Sequence, residues 1–252
     1  MKKISLVLFT LVSLPLLGQD DAQTIFNRAI NQLLTVNMEL SMEVEETDTK
    51  GRTREKNFDI LMARFGDVEK TKMTMQKPDR AKGVTIVFTH LPDDEGLIEV
   101  FTPANGKTRK MKATPQNMDR VGSNFSLSDY AYNTEDDLDI QLLGRQKVNE
   151  RSCYQLEIRE KTGESGIKSV FMVEETTYYI VQILFYDAVG NASMITNLSD
   201  YQPINGLKNK IQPMLIVSED LAGNKSTRMQ VLKITPRPDL KEEDFTIPES
   251  SN

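Results

Sequence analysis

From Met38 to Glu45 every second residue is apolar: Met38, Leu40, Met42 and Val44 alternate with Glu39, Ser41, Glu43 and Glu45. A period of two describes a strand with one buried and one wet face. The same pattern returns along nearly the whole chain. It predicts strands around Phe58, Ile60 and Met62, around Met73 and Met75, around Val84, Ile86 and Phe88, and from Leu97 to Phe101. Further strands are expected around Leu138, Ile140 and Leu142, around Tyr154, Leu156 and Ile158, from Ile167 to Val173, from Tyr178 to Tyr186, from Ile211 to Val217 and from Thr227 to Ile234. Asn105-Gly106, Gly190-Asn191, Asn205-Gly206 and Gly223-Asn224 read as turns between them. Spacings this short favour antiparallel neighbours, because a parallel pair needs a long crossover. Asp187 to Asn191 and Asp220 to Asn224 share one turn pattern, and each leads into a strand containing Ser and Met.

Helical signals are few. Ile25, Phe26, Ala29, Ile30, Leu33 and Leu34 recur at helical spacing, so Asp20 to Leu34 reads as an amphipathic helix with two aspartates at its positive end. Ser126 to Asp129 has capping-box spacing and predicts a short helix through Tyr132, and Pro238 to Asp244 predicts one terminal turn. The fold class is therefore α+β. A single antiparallel sheet with this many strands must curl strongly or close to bury its apolar face. The N-terminal helix and the short helices then cover the concave side.

Before this domain, Lys2 and Lys3 precede an apolar run from Ile4 to Leu17 that ends at Gly18. A basic head, a short apolar middle and a small residue form the layout of a secretory signal peptide. The run falls short of the roughly 20 apolar residues that span a bilayer. Residues 1–18 are thus expected to be a signal peptide and residues 19–252 a single domain that works outside the cytoplasm. No cysteine stands at the cleavage point to carry a lipid anchor, and no transmembrane helix is expected in the mature chain.

Composition narrows the function. The formal net charge of −6 becomes more negative once the leader lysines are removed, which argues against nucleic acid as a partner. Cys153 and His90 are the only residues of their kinds, so neither an internal disulfide, a zinc site nor a histidine-based catalytic set can be assembled. Cys153, inside a strand, reads as a buried structural thiol. Asp93-Asp94-Glu95 and Glu135-Asp136-Asp137 with Asp139 lack the spacing of a calcium loop and read as solvated turns. No phosphate loop, dinucleotide fingerprint or nucleophile elbow is present. No cofactor, no metal and no enzymatic activity are expected. Twelve methionines without a tryptophan instead suggest irregular, adaptable apolar space, and a large curved apolar surface without catalytic groups favours binding.

Two central blocks carry a family resemblance. Val100 to Lys110, with Pro103-Ala104 and Lys107-Thr108-Arg109, resembles the tyrosine-x-proline-alanine … lysine-x-arginine segment of the LolA-like outer-membrane lipoprotein-sorting proteins, and Gly122 to Asp129 resembles a second block of that family. Pro78 with Lys82-Gly83, Cys153 to Glu157, Tyr186-Asp187 with Gly190, and Asp244-Phe245 extend the likeness from about Ala22 to Pro248. Phe101 and Asn124 stand where the family pattern has tyrosine and aspartate. The resemblance implies an incomplete β-barrel and a soluble periplasmic carrier that shields acyl chains of lipids or lipoproteins between the inner and outer membranes. It also implies an inner-membrane transporter, of RND type in some branches, and an outer-membrane acceptor as partners. The alternative is a non-enzymatic lipid-sensing or scaffold module bound to such a transporter or to a regulator. Strand alternation gives Leu40, Met42, Ile60, Met73, Met75, Ile86 and Phe88 an inward face; with the cavity and lid that the resemblance implies, they are expected to be ligand-binding residues, with Met111 and Met118 near the lid.

Overall fold

The computed structural model describes residues 21–34, 37–91, 94–114, 117, 138–161 and 168–247. Among the described residues, helix α1 (Ala22–Asn31) precedes thirteen strands. The first six are β1 (Met38–Thr47), β2 (Thr53–Phe65), β3 (Val68–Lys77), β4 (Thr85–Leu91), β5 (Asp94–Thr102) and β6 (Lys107–Lys112). The other seven are β7 (Leu138–Val148), β8 (Arg151–Glu160), β9 (Lys168–Glu174), β10 (Ile180–Tyr186), β11 (Ala192–Pro203), β12 (Ile211–Asp220) and β13 (Lys225–Pro236). All thirteen form one antiparallel sheet in the order β6-β5-β4-β3-β2-β1-β13-β12-β11-β10-β9-β8-β7. The sheet is open, with β6 and β7 at its two edges, so the architecture is a curved half-barrel. Within each of the two runs, β1 to β6 and β7 to β13, strands adjacent in sequence pair, and the pairing of β1 with β13 joins the runs.

The strands read from periodicity are present. β11 follows the first of the two similar hairpins, and β6 is an additional strand after the Asn105-Gly106 turn. Its sequence, Lys107 to Lys112, has one apolar residue, Met111, and so carries almost no periodic signal. α1 is shorter than its apolar pattern. Asp21 caps it by accepting the Thr24 N–H at 2.7 Å. At the other end the Lys210 ammonium donates to the carbonyls of Asn31 (2.7 Å) and Leu33 (2.9 Å), which satisfies acceptors the helix leaves open. Leu33 then leaves the helix to bridge Ile211. The terminal turn is a 3-10 helix at Glu242–Phe245. The expected helix from Ser126 lies outside the described residues.

Among the described residues, four apolar clusters form the core. On the inner face, defined here as the one α1 packs on, Ile25, Phe26, Ala29 and Leu33 meet Leu138, Tyr154, Leu156, Ile158, Phe171, Val173, Ile183, Leu198 and Ile216. Phe26 and Phe171 are tilted against one another with ring centres 6.1 Å apart. A second inner-face cluster lies on β13, β1, β2 and β3, and is described below. The outer face carries two smaller clusters. One surrounds Cys153, Val170, Met172 and Val181. The other forms where residues 237–247 strap across β2 to β4, seating Leu240 and Phe245 on Ala63 and Val87. Phe65 meets Phe245 edge-on at 5.7 Å. Lys72, which burial pulls below the ordinary lysine range against the opposing charge of Asp244, donates to the carbonyls of Asp244 and Thr246. Arg237 anchors the start of the strap by pairing with Asp239 and Glu39.

Two outcomes follow from this packing. Phe245→Ala empties the strap's main contact and should destabilise the protein by about 3 kcal/mol, read as a lower urea midpoint at unchanged slope. A loss below about 1 kcal/mol would mean that the strap is dispensable. The Cys153 thiol is fully buried, and burial raises its pKa. It should react with an aromatic disulfide reagent only after denaturation; rapid labelling of native protein would contradict this packing.

Candidate functional site

Cross-strand register shows how the second inner-face cluster is assembled. Residues directly opposite on antiparallel strands point to the same face with Cβ atoms roughly 5 Å apart. One row runs Ile234, Leu40, Ile60, Met73, Ile86, Val100 and Arg109 from β13 to β6. A second runs Met38, Met62, Thr71, Phe88, Ile98 and Met111. A third runs Val231, Met42, Phe58 and Met75. Ile216, Met229 and Val44 join these rows to the face on which α1 sits. The result is one continuous apolar surface.

Eight of the chain's twelve methionines stand on it: Met38, Met42, Met62, Met73, Met75, Met111, Met214 and Met229. Met42, Met62, Met73, Met75 and Met229 are half-buried, whereas Leu40, Phe58 and Ile60 beside them in the same rows are buried. No residue of α1 belongs to this cluster; Leu34, beyond the helix, reaches its edge. The helix therefore covers one half of the inner face, and the methionine-rich half is a separate surface.

Polar pairs frame it. Along β2, β3 and β4 the next row is Arg64, Glu69 and His90, and the Arg64 guanidinium pairs with the buried Glu69 carboxylate. At the opposite end Lys56 pairs with Glu46 at 2.6 Å, and the buried hydroxyls of Thr196 and Ser218 bond to each other at 2.9 Å. A frame of satisfied polar groups around an uncharged field suits an apolar ligand with no reacting centre.

The register brings together the residues expected from alternation. Leu40, Met42, Ile60, Met73 and Met75 share the cluster, and Ile86, Phe88 and Met111 continue its rows. Met118 lies outside the described residues. Met38, Met62, Phe58, Val44, Met214 and Met229 belong to the same surface and were not singled out. The signal for Met38 and Met62 was available, since each has the parity of its neighbours Leu40 and Ile60. Met214 and Met229 enter only through strand pairings that local sequence does not announce. Phe101 sits opposite Thr85, on the outer face, so its departure from the family tyrosine does not touch the apolar rows. Asn124 lies outside the described residues.

A second concavity, of about 490 Å³, opens beside α1 and is lined by Thr24, Asn27, Arg28, Asn31, Gln32, Thr177, Tyr178 and Asn209. There the Arg28 guanidinium lies 5.0 Å from the Tyr178 ring centre and donates to its hydroxyl at 2.7 Å. Gln32 donates to the Thr177 carbonyl at 3.1 Å. Its amide and hydroxyl lining makes it a poor acyl site. Among the described residues no group of three or more His, Cys, Asp or Glu is placed to hold a metal ion, and no helix is long and apolar enough to cross a membrane.

Comparison with known proteins places this architecture. A DUF1329 family protein from Desulfovibrio piger superposes with a TM-score of 0.74 at 18% identity, covering 90% of this chain and 98% of the other. A protein described as an outer membrane lipoprotein-sorting domain, from Vibrio parahaemolyticus, gives 0.72 at 17% identity over 89% and 94%. A LolA superfamily protein from Nitrosomonas europaea gives 0.64 at 18% identity over 91% and 99%. At these identities the likeness is one of fold. No curated protein sequence matches the chain. The model of a family described only as uncharacterized-protein-like matches residues 67–249. The chain belongs to that family, and it has the LolA-like fold.

Proposed function

We propose that the protein is a non-enzymatic carrier that holds the acyl chains of a lipid or lipoprotein against the methionine-rich inner face and moves them through the periplasm between inner and outer membranes. The observation that carries this reading is the continuous apolar surface on β13 and β1 to β6, which α1 leaves to other occupants. In this reading residues 1–18 direct export and are removed, and residues 19–252 work as one soluble domain. An inner-membrane transporter would load the cargo and an outer-membrane acceptor would receive it. The LolA-like fold and the names of its structural relatives support this assignment.

The energetics are adequate. About 15 methylenes buried at ~0.8 kcal/mol each offer on the order of 12 kcal/mol. Lost translational freedom and chain ordering remove a sizeable part of that. The remainder still gives useful affinity without charged anchors. Methionine suits the task because its unbranched, polarizable side chain reshapes around differing chains.

A fluorescent fatty-acyl probe should bind the purified protein. Met73→Asp places a carboxylate in the middle of the longest apolar row and should weaken the probe by at least about tenfold. Val189→Asp, in the exposed β10–β11 turn, should leave binding unchanged. Native mass spectrometry of protein taken from cell envelopes should show added lipid mass. Bare protein, together with no uptake of the probe, would overturn the assignment.

A further inference from the structure

The apolar rows do not fade out at the β6 edge; they meet cations. Arg109 closes the row Leu40, Ile60, Met73, Ile86, Val100, directly opposite Val100, and Lys107, two residues earlier on the same face, stands opposite Thr102. Both are exposed. The two faces of β6 differ in how their charge is met. On the outer side Lys110 pairs with Glu99 at 2.6 Å. On the inner side, among the described residues, no carboxylate pairs with Lys107 or Arg109.

A second segment reaches the same corner. The connection between β3 and β4 turns back at Gly83, whose φ of +82° disfavours any side chain, and a Cβ placed there would lie 3.1 Å from Pro103. This contact sets the β3–β4 connection against the start of the β5–β6 turn. It brings the exposed Arg80 and Lys82 toward the end of the sheet that carries Lys107. The two segments, residues 78–83 and 103–109, hold four cations and one carboxylate, Asp79. The chain as a whole carries a formal charge of −6, so this corner runs against its surroundings.

Length fits the same picture. From β1 to β6 the row crosses five strand intervals of ~4.8 Å, about 24 Å in all. One acyl chain fills about half of a ~30 Å hydrocarbon core. A chain lying along the row therefore fits within the apolar stretch with its polar end at the β6 corner. Guanidinium and ammonium groups there match phosphate or carboxylate oxygens, the first in a planar fork and the second as a point charge.

Resting on the acyl-carrier reading above, we propose that this corner, with Arg109 and Lys107 at the end of the apolar rows and Arg80 and Lys82 beside them, binds the anionic headgroup of the cargo, which is thus an anionic amphiphile. A single anionic lipid fits better than an anionic bilayer, because the net negative chain is repelled by an extended surface of its own sign.

The test compares monomeric lysophosphatidylglycerol with lysophosphatidylcholine of the same chain length, each displacing a fluorescent acyl probe from the mature protein at low salt. The anionic lipid should bind about fivefold tighter. That preference should fall to within about twofold in the Lys107→Gln, Arg109→Gln double variant and in 0.5 M salt, while the zwitterionic lipid is unaffected. An independent Arg80→Gln, Lys82→Gln variant should shrink the preference as well. Equal affinities in the wild type would overturn the headgroup site and leave the carrier reading standing; failure of both lipids to bind would instead sink the carrier reading. Two further arms separate other sources of anion. Binding of glycerophosphoglycerol alone at comparable strength would reassign the corner to free phosphates. Loss of sedimentation with anionic vesicles in the double variant, with lysophosphatidylglycerol affinity unchanged, would reassign it to the membrane surface. Either result overturns the proposal.

Discussion

A helix of ten residues is about 15 Å long, and a sheet of thirteen strands at ~4.8 Å spacing is about 58 Å wide when flattened. The inner face cannot be covered by α1 alone, however the sheet curls. Every other feature of the molecule adjusts to that mismatch. Branched and aromatic side chains gather under the helix, where Ile25, Phe26, Phe171 and Leu156 lock together at fixed distances. Methionines gather where the helix does not reach. The outer face has its own covering in the C-terminal strap, so curvature is held from behind at β2 to β4 and filled from within at β7 to β12.

The division of side-chain types has a physical reading. A close-packed core rewards residues with few rotamers, because each then has one place to sit. A surface that must exchange one apolar neighbour for another is better served by side chains that lose little when they move. The same chain solves both problems on one face of one sheet, about half a sheet apart. The polar pairs Arg64 with Glu69, Lys56 with Glu46 and Thr196 with Ser218 mark where this surface stops, each with its charge or hydroxyl already met.

Much of this was readable in the sequence because a sheet residue's face follows from parity alone. Leu40, Met42, Ile60, Met73, Met75, Ile86, Phe88 and Met111 declare their side by counting along their own strands. Parity is silent on which strands meet. Met229 reaches Val44 through a pairing that spans most of the chain, and nothing local to either residue encodes it. β6 was invisible for a different reason: its identity as a strand rests on pairing with β5, while four of its six residues are charged and only Met111 is apolar. The strap was equally hidden. Leu240 and Phe245 look like isolated apolar residues in a polar tail, and only the outer-face positions Ala63 and Val87 give them a seat.

The pairing of β1 with β13 places the sequence's break at one point of the sheet and the sheet's own break at another. The spatial order is a circular permutation of the chain order. Joined between β13 and β1 and opened between β6 and β7, the same strands would read as a single uninterrupted meander. As the chain stands, each of its two meanders can zip locally, but the sheet becomes one only when residues about 190 positions apart find each other. The methionine-rich surface spans that joint, with Val231 and Ile234 on one side and Leu40 and Met42 on the other. The rows on β1 to β6 therefore gain Val231, Ile234 and Met229 only when this long-range pairing closes, at the loop-closure cost that so distant a contact carries.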